Sequence, residues 1–349
     1  MNRPHTHSLD QHDLDMHSPS THPSGTNPTD IVITVAAPGG VDQLRVTPRD
    51  PQAPGAGEVR LRHQAIGVNF VDTYHRRGLY PLPGNVPGVE GVGVIEALGA
   101  GVTGLTVGQR VAYAGTAGGY ASTRLLPADR ALPLPDAVSS RDAAASLLRG
   151  LTTQMLLAAT HAVGPHTVLL VSAAAGGLGI MVTRWARQLG ARVIGTASTA
   201  EKAALARHHG ADAVIIGRDA DVAAEVASLT GGRGVDYAID GVGGDALPRF
   251  IAATRSGGTV ASIGRAGGPV AVEAAEGLAR DRGVTFTRPS ILARLADIGI
   301  YHAAATEVMA QLARGLTADI GGSYPLAEAA QAHAALEAGR TTGALLLLP

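Results

Sequence analysis

Residues 167–190 read TVLLVSAAAGGLGIMVTRWARQLG, a stretch in which an apolar run breaks into a glycine turn and then into a helical pattern. The run 168–171 is short and continuous, which is typical of a parallel strand buried on both faces. Ala174, Gly176 and Gly179 then keep the spacing of GxGxxG, with alanine in the first place. Small residues there allow a sharp turn, close approach of the backbone to a pyrophosphate and close packing of the next helix. The stretch therefore predicts a dinucleotide-binding βαβ unit with the phosphates at a helix N-terminus.

Apolar residues follow the motif at helical spacing, and Gly190 is placed to end the helix before a further strand at 192–196. A second copy of the pattern, Gly99, Gly101 and Gly104, matches GxGxxG to the letter. No helical period follows it, and a strand-like segment begins at residue 110. We interpret that copy as a turn between strands.

The end of the second strand indicates which dinucleotide is bound. NAD-binding units usually carry Asp or Glu there to hold the ribose 2′-hydroxyl, but this chain has Ala197. Ser198 offers a hydroxyl, and Lys202 and Arg218 offer positive charge that suits a 2′-phosphate. NADPH is therefore the expected cofactor. The alternative for Lys202 is an ordinary residue of a solvated helix.

Composition bounds the class of protein. A chain of 349 residues is long enough for two domains, and its 45% hydrophobic content supplies a sizeable core. The net charge of −1 gives no electrostatic footprint for nucleic acid or an anionic membrane. No apolar run approaches the length of a membrane span and no signal segment opens the chain, so we expect a cytoplasmic protein. Cysteine is absent, which excludes disulfides, thiol nucleophiles and thiolate metal ligands.

Three regions follow one another along the chain. Residues 1–29 are rich in His, Pro, Ser and Asp, and we expect a disordered tail whose histidines bind metal only opportunistically. From residue 30 the chain has short segments of alternating polarity, which predict strands of an antiparallel β domain at 31–35, 58–66, 91–98 and 110–114. A helix over 139–159, opened by Ser139 with Asp142 three residues later, leads into the nucleotide unit.

The nucleotide unit continues with strands predicted at 213–216, 237–240 and 259–263. Glycines follow the last two closely. Since ligands of open α/β sheets bind at the carboxyl ends of the strands, these loops, with Val242, Ile263 and Gly264, are expected to face the cofactor. Residues from about 291 onward return to helix and strand that complete the first domain.

Five short motifs, spaced along the chain, occur in the same order as in a known family. AIGVNFVDTYHRRGLYP at 65–81, PGVEGVG at 87–93, RGLTTQ at 149–154, SAAAGGLG at 172–179 and TRPS at 287–290 resemble the quinone oxidoreductases. These form the zinc-free, zeta-crystallin-like branch of the medium-chain dehydrogenase/reductase superfamily. The resemblance implies an α/β fold with a GroES-like antiparallel β domain (30–154 and 290–349), a Rossmann doubly wound parallel sheet domain that binds NADPH (155–289), and a homodimer.

The resemblance also implies roles for particular residues. Asn69, Asp72 and Tyr74 resemble the active-site cluster beneath the nicotinamide: Asn69 as a donor to a substrate carbonyl, Tyr74 as a donor of a proton or hydrogen bond, and Asp72 as a residue that orients its neighbours. The alternative is that Asp72 and Tyr74 only brace the loop. Arg288 resembles a residue near the substrate mouth, and Arg265 could meet an anionic group there or point to solvent. The expected cofactor contacts are Thr152, Ala174, Ala175, Gly176, Gly177, Leu178, Gly179, Ser198, Lys202, Arg218, Val242, Ile263 and Gly264.

Departures from related patterns refine these expectations. Zinc-dependent relatives place a cysteine near the position of Asn69 and a histidine before the Glu of a GHE motif, whereas Val89 precedes Glu90 here. A catalytic zinc is therefore not expected. Gly217 stands where close relatives have a tyrosine that lines the adenosine site, which bears on NADPH affinity.

Three functions remain open at this point. The first is NADPH-dependent reduction of quinones. The second is reduction of an activated carbon–carbon double bond in enones or enoyl thioesters, which the same scaffold supports. The third is a non-enzymatic role, as a crystallin or in RNA binding, against which the near-neutral charge and the 3% aromatic content argue. The expected partner is a small-molecule electron acceptor, with neither nucleic acid nor membrane.

Overall fold

A computed structural model of the chain describes Met1 and residues 30–349. The expected disorder of the tail, and the expectation for its histidines, lie outside the described residues. Within the described part, no helix is long and apolar enough to cross a bilayer.

The strands and helices are named in chain order. The strands are β1 (Ile31–Val35), β2 (Leu44–Pro48), β3 (Glu58–Val68), β4 (Glu90–Leu98), β5 (Arg110–Ala114), β6 (Thr123–Pro127), β7 (Leu132–Pro133), β8 (Val168–Val171), β9 (Arg192–Ala197), β10 (Ala213–Ile216), β11 (Val235–Asp240), β12 (Thr254–Ser262), β13 (Thr285–Thr287), β14 (Ile320–Pro325) and β15 (Ala344–Leu348). The helices are α1 (Phe70–Arg76), α2 (Ser140–Gln154), α3 (Gly177–Gln188), α4 (Ala200–His208), α5 (Val222–Thr230), α6 (Ala246–Ala253), α7 (Val272–Asp281), α8 (Ile291–Arg294), α9 (Ile298–Ala313) and α10 (Ala329–Glu337).

Six parallel strands form the nucleotide sheet in the order β10-β9-β8-β11-β12-β13. Numbered from β8, this is the order 3-2-1-4-5-6 of a dinucleotide-binding fold. Leu169 and Val171 of β8 pack in one core cluster with α2, α3 and α9, while Leu170 packs in another with α5, α6 and α7. The strand is therefore buried on both faces, as its continuous apolar run predicts, and the doubly wound Rossmann sheet is confirmed.

The second sheet has seven strands in the order β14-β15-β3-β4-β5-β7, with β6 also paired to β3. Most pairs are antiparallel, but β14 and β15 are parallel to each other. The chain after residue 291 therefore contributes β14 and β15 to this sheet. The segment 31–35 forms a strand as predicted, and β1 pairs antiparallel with β2 in a separate two-stranded ribbon.

The predicted helix over 139–159 begins where expected. Ser139 is the N-cap of α2, and its Oγ accepts a hydrogen bond from the Asp142 N–H at 3.0 Å. After Gln154 the helix continues as a π-helical segment, Met155–Thr160. The second GxGxxG copy forms a turn between β4 and β5, with Gly101 and Gly104 at φ of 78° and 76°. That interpretation is confirmed.

Candidate active site

The glycine turn after β8 brings the strand and α3 into close contact. A Cβ on Gly179 would lie 2.7 Å from the Cα of Ala174, closer than real side chains approach. The third glycine of the motif is therefore required by the packing of α3 on the turn. The helix begins at Gly177, inside the motif, so its first N–H groups lie at the turn without intrahelical acceptors. This arrangement suits the phosphates of a dinucleotide.

Two further loops meet at the same edge of the sheet. A Cβ on Gly264, after β12, would lie 2.7 Å from the backbone nitrogen of Val242, after β11. Asp240 shapes the first of these loops, since its carboxylate accepts the N–H groups of Val242 and Gly243 at 3.0 and 2.9 Å. Burial raises the pKa of Asp240, and the backbone donors oppose that rise. Sequence reasoning missed Asp240, although an acid before GVGG was a usable signal.

Two of the expected 2′-phosphate residues approach each other, Lys202 from α4 after β9 and Arg218 from the loop after β10. Ala197 is buried at the end of β9, and the Nζ of Lys202 donates to the carbonyl of Gly339 at 2.7 Å. A Cβ on Gly339 would lie 3.5 Å from a guanidinium nitrogen of Arg218, so both cations approach the same backbone. Burial, followed by the charge of Arg218, lowers the pKa of Lys202. Lys202 is also the only lysine of the chain, a signal that sequence reasoning did not use.

The segment after α10 links this cation pair to the glycine turn. Gly343 forms a bridge with Gly176, and its N–H donates to the carbonyl of Ala175 at 3.4 Å. Arg340 is exposed beside Gly339 and was not among the predicted contacts. Gly217 has a φ of 113°, a left-handed conformation that a tyrosine would adopt only with strain.

Asn69 occupies the N-cap of α1, directly after β3. Its amide Nδ2 donates to Oε1 of Glu90 at 2.7 Å, and Oε2 of Glu90 accepts the N–H of Leu148 at 2.8 Å. Arg149 lies 3.5 Å from the same carboxylate. Burial raises the pKa of Glu90, and the Arg149 charge and the Asn69 amide oppose that rise. One of the two amide hydrogens of Asn69 is therefore used to orient the side chain, and one remains for another acceptor.

Asp72 lies one turn into the same helix and is fully buried. Its Oδ2 accepts the backbone N–H of Asn69 at 2.8 Å and the hydroxyl of Tyr120 at 3.2 Å, whereas its Oδ1 has no hydrogen-bond partner. Burial raises the pKa of Asp72 to about 7, with the Asn69 N–H opposing that rise and the charge of Glu90 adding to it. Asp72 thus braces Asn69 directly.

Tyr74 connects α1 to the nucleotide sheet. Its hydroxyl accepts the backbone N–H of Arg265 at 3.0 Å, which leaves the hydroxyl hydrogen available to a further acceptor. Its ring meets that of Tyr80 edge-on at 5.7 Å. Burial raises the pKa of Tyr74, and the nearby charges of Arg265 and Arg77 lower it. Tyr74 therefore joins α1 to the loop after β12 by a hydrogen bond and packs its ring against Tyr80.

The remaining predicted residues flank this cluster. Thr152 is buried in α2, and its hydroxyl donates to the carbonyl of Leu148 at 2.8 Å. Arg288 is exposed directly after β13, and because Thr287 pairs with Ala261, it lies at the same sheet edge as the loop that carries Arg265. Among the described residues, no three His, Asp or Glu side chains are grouped closely enough to hold a metal ion.

Comparison with known proteins agrees with this architecture. Residues 55–136 match the family model of the alcohol dehydrogenase GroES-like domain, and residues 177–296 match that of the zinc-binding dehydrogenase. The chain is 41% identical to a quinone oxidoreductase of Pseudomonas aeruginosa over 91% of this chain and 99% of that one. It is 39% identical to a 2-haloacrylate reductase of Burkholderia over 85% and 92%. The Escherichia coli quinone oxidoreductase complexed with NADPH superposes with a TM-score of 0.86 at 35% identity, covering 91% of this chain and 100% of that one.

A GroES-like domain joined to a Rossmann sheet, with a glycine turn after its first strand, defines the medium-chain dehydrogenase/reductase class. Within that class, the chain belongs to the quinone oxidoreductase family. The family resemblance drawn from the sequence is confirmed.

Proposed function

We propose that the protein is an NADPH-dependent quinone oxidoreductase. The observation that carries the proposal is the meeting of the glycine turn, the Lys202–Arg218 pair and the Asn69–Tyr74 cluster along one edge of the nucleotide sheet. The names of the relatives support it, because quinone oxidoreductases match the chain at 37–41% identity over most of its length.

The residues present fit NADPH. Gly179 lets the N-terminus of α3 pack directly on the turn, where its free N–H groups suit a pyrophosphate, and Lys202 with Arg218 would hold the 2′-phosphate. Bound NADPH would supply a hydride to the acceptor. We assign the contacts of the nicotinamide end to Thr152, Val242, Ile263 and Gly264, which lie at the carboxyl edge of the sheet or on the buried face of α2 beside it.

The polar cluster would act on the acceptor. Reduction of a quinone places negative charge on a carbonyl oxygen, and donors aimed at that oxygen lower the barrier. The second amide hydrogen of Asn69 and the hydroxyl hydrogen of Tyr74 are the donors that the geometry leaves available. Asp72 holds Asn69 in place through the backbone N–H.

A second candidate, reduction of an activated carbon–carbon double bond, is favoured by a specific feature. The backbone N–H of Arg265 donates to the Tyr74 hydroxyl at 3.0 Å, so an acceptor that carries a carboxylate would bind beside an arginine. The 2-haloacrylate reductase among the relatives supports this candidate. Turnover with NADPH against a quinone panel and a panel of enones and acrylates separates the two.

We further propose that the protein is a cytoplasmic homodimer that binds neither metal nor nucleic acid. The proposed GroES-like domain consists of 30–154 and 290–349, and the proposed Rossmann domain of 155–289. The absence of cysteine and the presence of Asn69 and Val89 at the zinc-ligand positions support the metal-free state. Elemental analysis of protein that starts at residue 30 tests it. Stoichiometric zinc, with activity lost on chelation, would overturn it. Sedimentation tests the dimer, and filter binding at moderate salt tests RNA.

Lys202 gives a direct test of the cofactor. Because a charge-assisted contact to phosphate contributes about 1.5 to 3 kcal/mol, Lys202→Ala should raise the KM for NADPH about ten-fold or more and leave NADH kinetics nearly unchanged. Lys202→Arg is the matched control and should retain most of the preference. Since Lys202 is the only lysine, an amine-acylating reagent should modify only this side chain and the N-terminus, and NADPH should protect it. Equal losses with both cofactors would refute the assignment.

A further inference from the structure

A buried hydrogen-bond chain runs from Asp72 away from the proposed acceptor site. The hydroxyl of Tyr120 lies 3.2 Å from Oδ2 of Asp72, Nε2 of His333 lies 2.9 Å from that hydroxyl, and a guanidinium nitrogen of Arg76 lies 3.1 Å from Nδ1 of His333. Arg76 then pairs with Glu337 at 2.8 Å. Asp72, Tyr120 and His333 are fully buried and Arg76 is 2% exposed, so the chain ends at solvent only at Glu337.

Between Arg76 and Asp72, all the hydrogen bonds run in the same direction. Arginine has only donors, so Nδ1 of His333 must accept from Arg76. Burial and the charge of Arg76 lower the pKa of His333 to about 3, so the ring is neutral and its single hydrogen lies on Nε2. Nε2 therefore donates to the oxygen of Tyr120, and the hydroxyl hydrogen of Tyr120 goes to Asp72. From Arg76 inward, each of these hydrogen bonds therefore has its donor pointing toward the Asp72 carboxylate.

Burying this hydrogen-bond chain contributes little net stability to the fold. Buried charged and polar groups lose hydration, and apolar side chains of similar volume are often at least as stabilising. Buried polar groups come from α1, from the segment before β6 and from α10, and Arg76 meets His333 across 257 residues of sequence. What the chain does provide is a fixed orientation for Asp72, whose Oδ2 in turn accepts the N–H of Asn69.

We propose that Tyr120, His333 and Arg76 are positioning residues for the reduction, which hold the Asp72 carboxylate and, through it, Asn69 at the acceptor carbonyl. This inference rests on the proposed function. It assigns a functional role to buried residues of two elements, the segment before β6 and α10, that contribute no group to the acceptor site itself.

The charged groups that face Asp72 and His333 set the expected pH dependence of kcat. Asp72 faces the carboxylate of Glu90, which disfavours its ionised form, and Arg149 and the Tyr120 hydroxyl, which favour it. His333 faces Arg76 and Tyr120. Loss of the Tyr120 hydroxyl removes a donor to the carboxylate and raises the pKa of Asp72 further. The acid limb of the kcat profile should then move to higher pH.

The experiment compares Tyr120→Phe with Tyr301→Phe. Tyr301 is an equally buried tyrosine whose hydroxyl donates to the carbonyl of Arg130 at 3.0 Å, away from Asp72. Tyr120→Phe should lower kcat for quinone reduction about ten-fold, shift the acid limb upward, and leave the Kd for NADPH within about two-fold. Tyr301→Phe should lower Tm without moving the pH profile. His333→Gln, which keeps an acceptor and a donor, should retain more activity than His333→Leu.

Two results would overturn the inference. One is a loss of kcat in Tyr120→Phe that is equal at every pH, and the other is a loss that persists undiminished in an Asp72→Asn background, where the carboxylate is already gone. Coupling is also measurable without turnover. If Tyr120 and Asp72 are coupled, the Tm loss of the double variant Tyr120→Phe/Asp72→Asn is smaller than the sum of the losses in the two single variants. An inactive wild-type protein would refute the proposed function. The Tm comparison would still show whether Tyr120 and Asp72 are coupled through the hydrogen-bond chain.

Discussion

Asn69 has two hydrogens on its amide nitrogen, and Glu90 binds one of them. The contact fixes the plane of the amide, so the second hydrogen has a defined direction without help from the acceptor. This preorganisation is the physical basis for a donor that acts on developing charge. Residue types alone suggested a donor at position 69, but the partner that orients it lies 21 residues away on β4.

We predict that Asn69→Ala lowers kcat far more than it weakens NADPH binding. Loss of one donor in an organised oxyanion site typically costs about 2.7 to 4 kcal/mol, and quinones should depend on it less because they are already good acceptors. Tyr74→Phe should be milder on quinones than on enones. Stopped-flow hydride transfer and NADPH fluorescence titration separate the two effects. Full turnover of both variants on every acceptor would make the cluster structural and direct attention to Arg265 and Arg288.

At the scale of elements, two glycines within helices have opposite surroundings. Gly179 lies in the first turn of α3, where a Cβ would meet Ala174 and the carbonyl of Ala173. Gly277 lies in α7, where a Cβ would meet nothing within 4 Å. The first glycine is therefore required by packing, and the second only weakens its helix.

The pair gives a matched prediction. Gly179→Ala should cost about 1 to 3 kcal/mol of stability through overpacking and weaken NADPH binding at least about ten-fold, because α3 must shift away from the turn. Gly277→Ala should add about 0.5 to 1 kcal/mol and leave NADPH binding unchanged. Chemical denaturation and cofactor titration of the two variants test this. Normal NADPH affinity in Gly179→Ala would show that α3 need not pack closely on the turn.

At the scale of the whole molecule, buried histidines link folding to pH. Burial lowers the pKa of His63 and of His333 to about 3, whereas the unfolded chain has the ordinary value of 6.5. Between those values the unfolded state binds more protons, so each histidine costs stability as the pH falls below 6.5. Asp72 acts in the opposite sense, because its raised pKa lets the folded state bind a proton that the unfolded chain does not.

We predict that His63→Gln flattens the acid side of the stability curve. The ring bonds the Ala121 carbonyl at 2.7 Å and the Tyr113 hydroxyl at 2.9 Å, and an amide can replace part of these contacts. The difference in unfolding free energy between wild type and variant should change by about 1.4 kcal/mol per pH unit between pH 6 and 4. Urea titrations at several pH values measure it, and a constant difference would mean that His63 is protonated in the folded state.

Features that depend on residues close along the chain were predictable from the amino-acid sequence. The apolar run of β8, the cap at Ser139 and the stop at Gly190, which has a φ of 84°, follow from residues within a few positions of one another. Short or polar strands such as β2, β6 and β7 were missed, because their pairing partners rather than their own residues define them.

The contacts that form the site depend on the packing of segments far apart along the chain. Lys202 meets Gly339 across 137 residues, and Tyr74 meets Arg265 across 191. Local propensity carries no information about such pairs, since their approach is set by how two sheets and α10 pack together. The direction of hydrogen bonds at Asp72 was likewise invisible in the sequence, because it depends on which ring nitrogen of His333 the Arg76 guanidinium reaches.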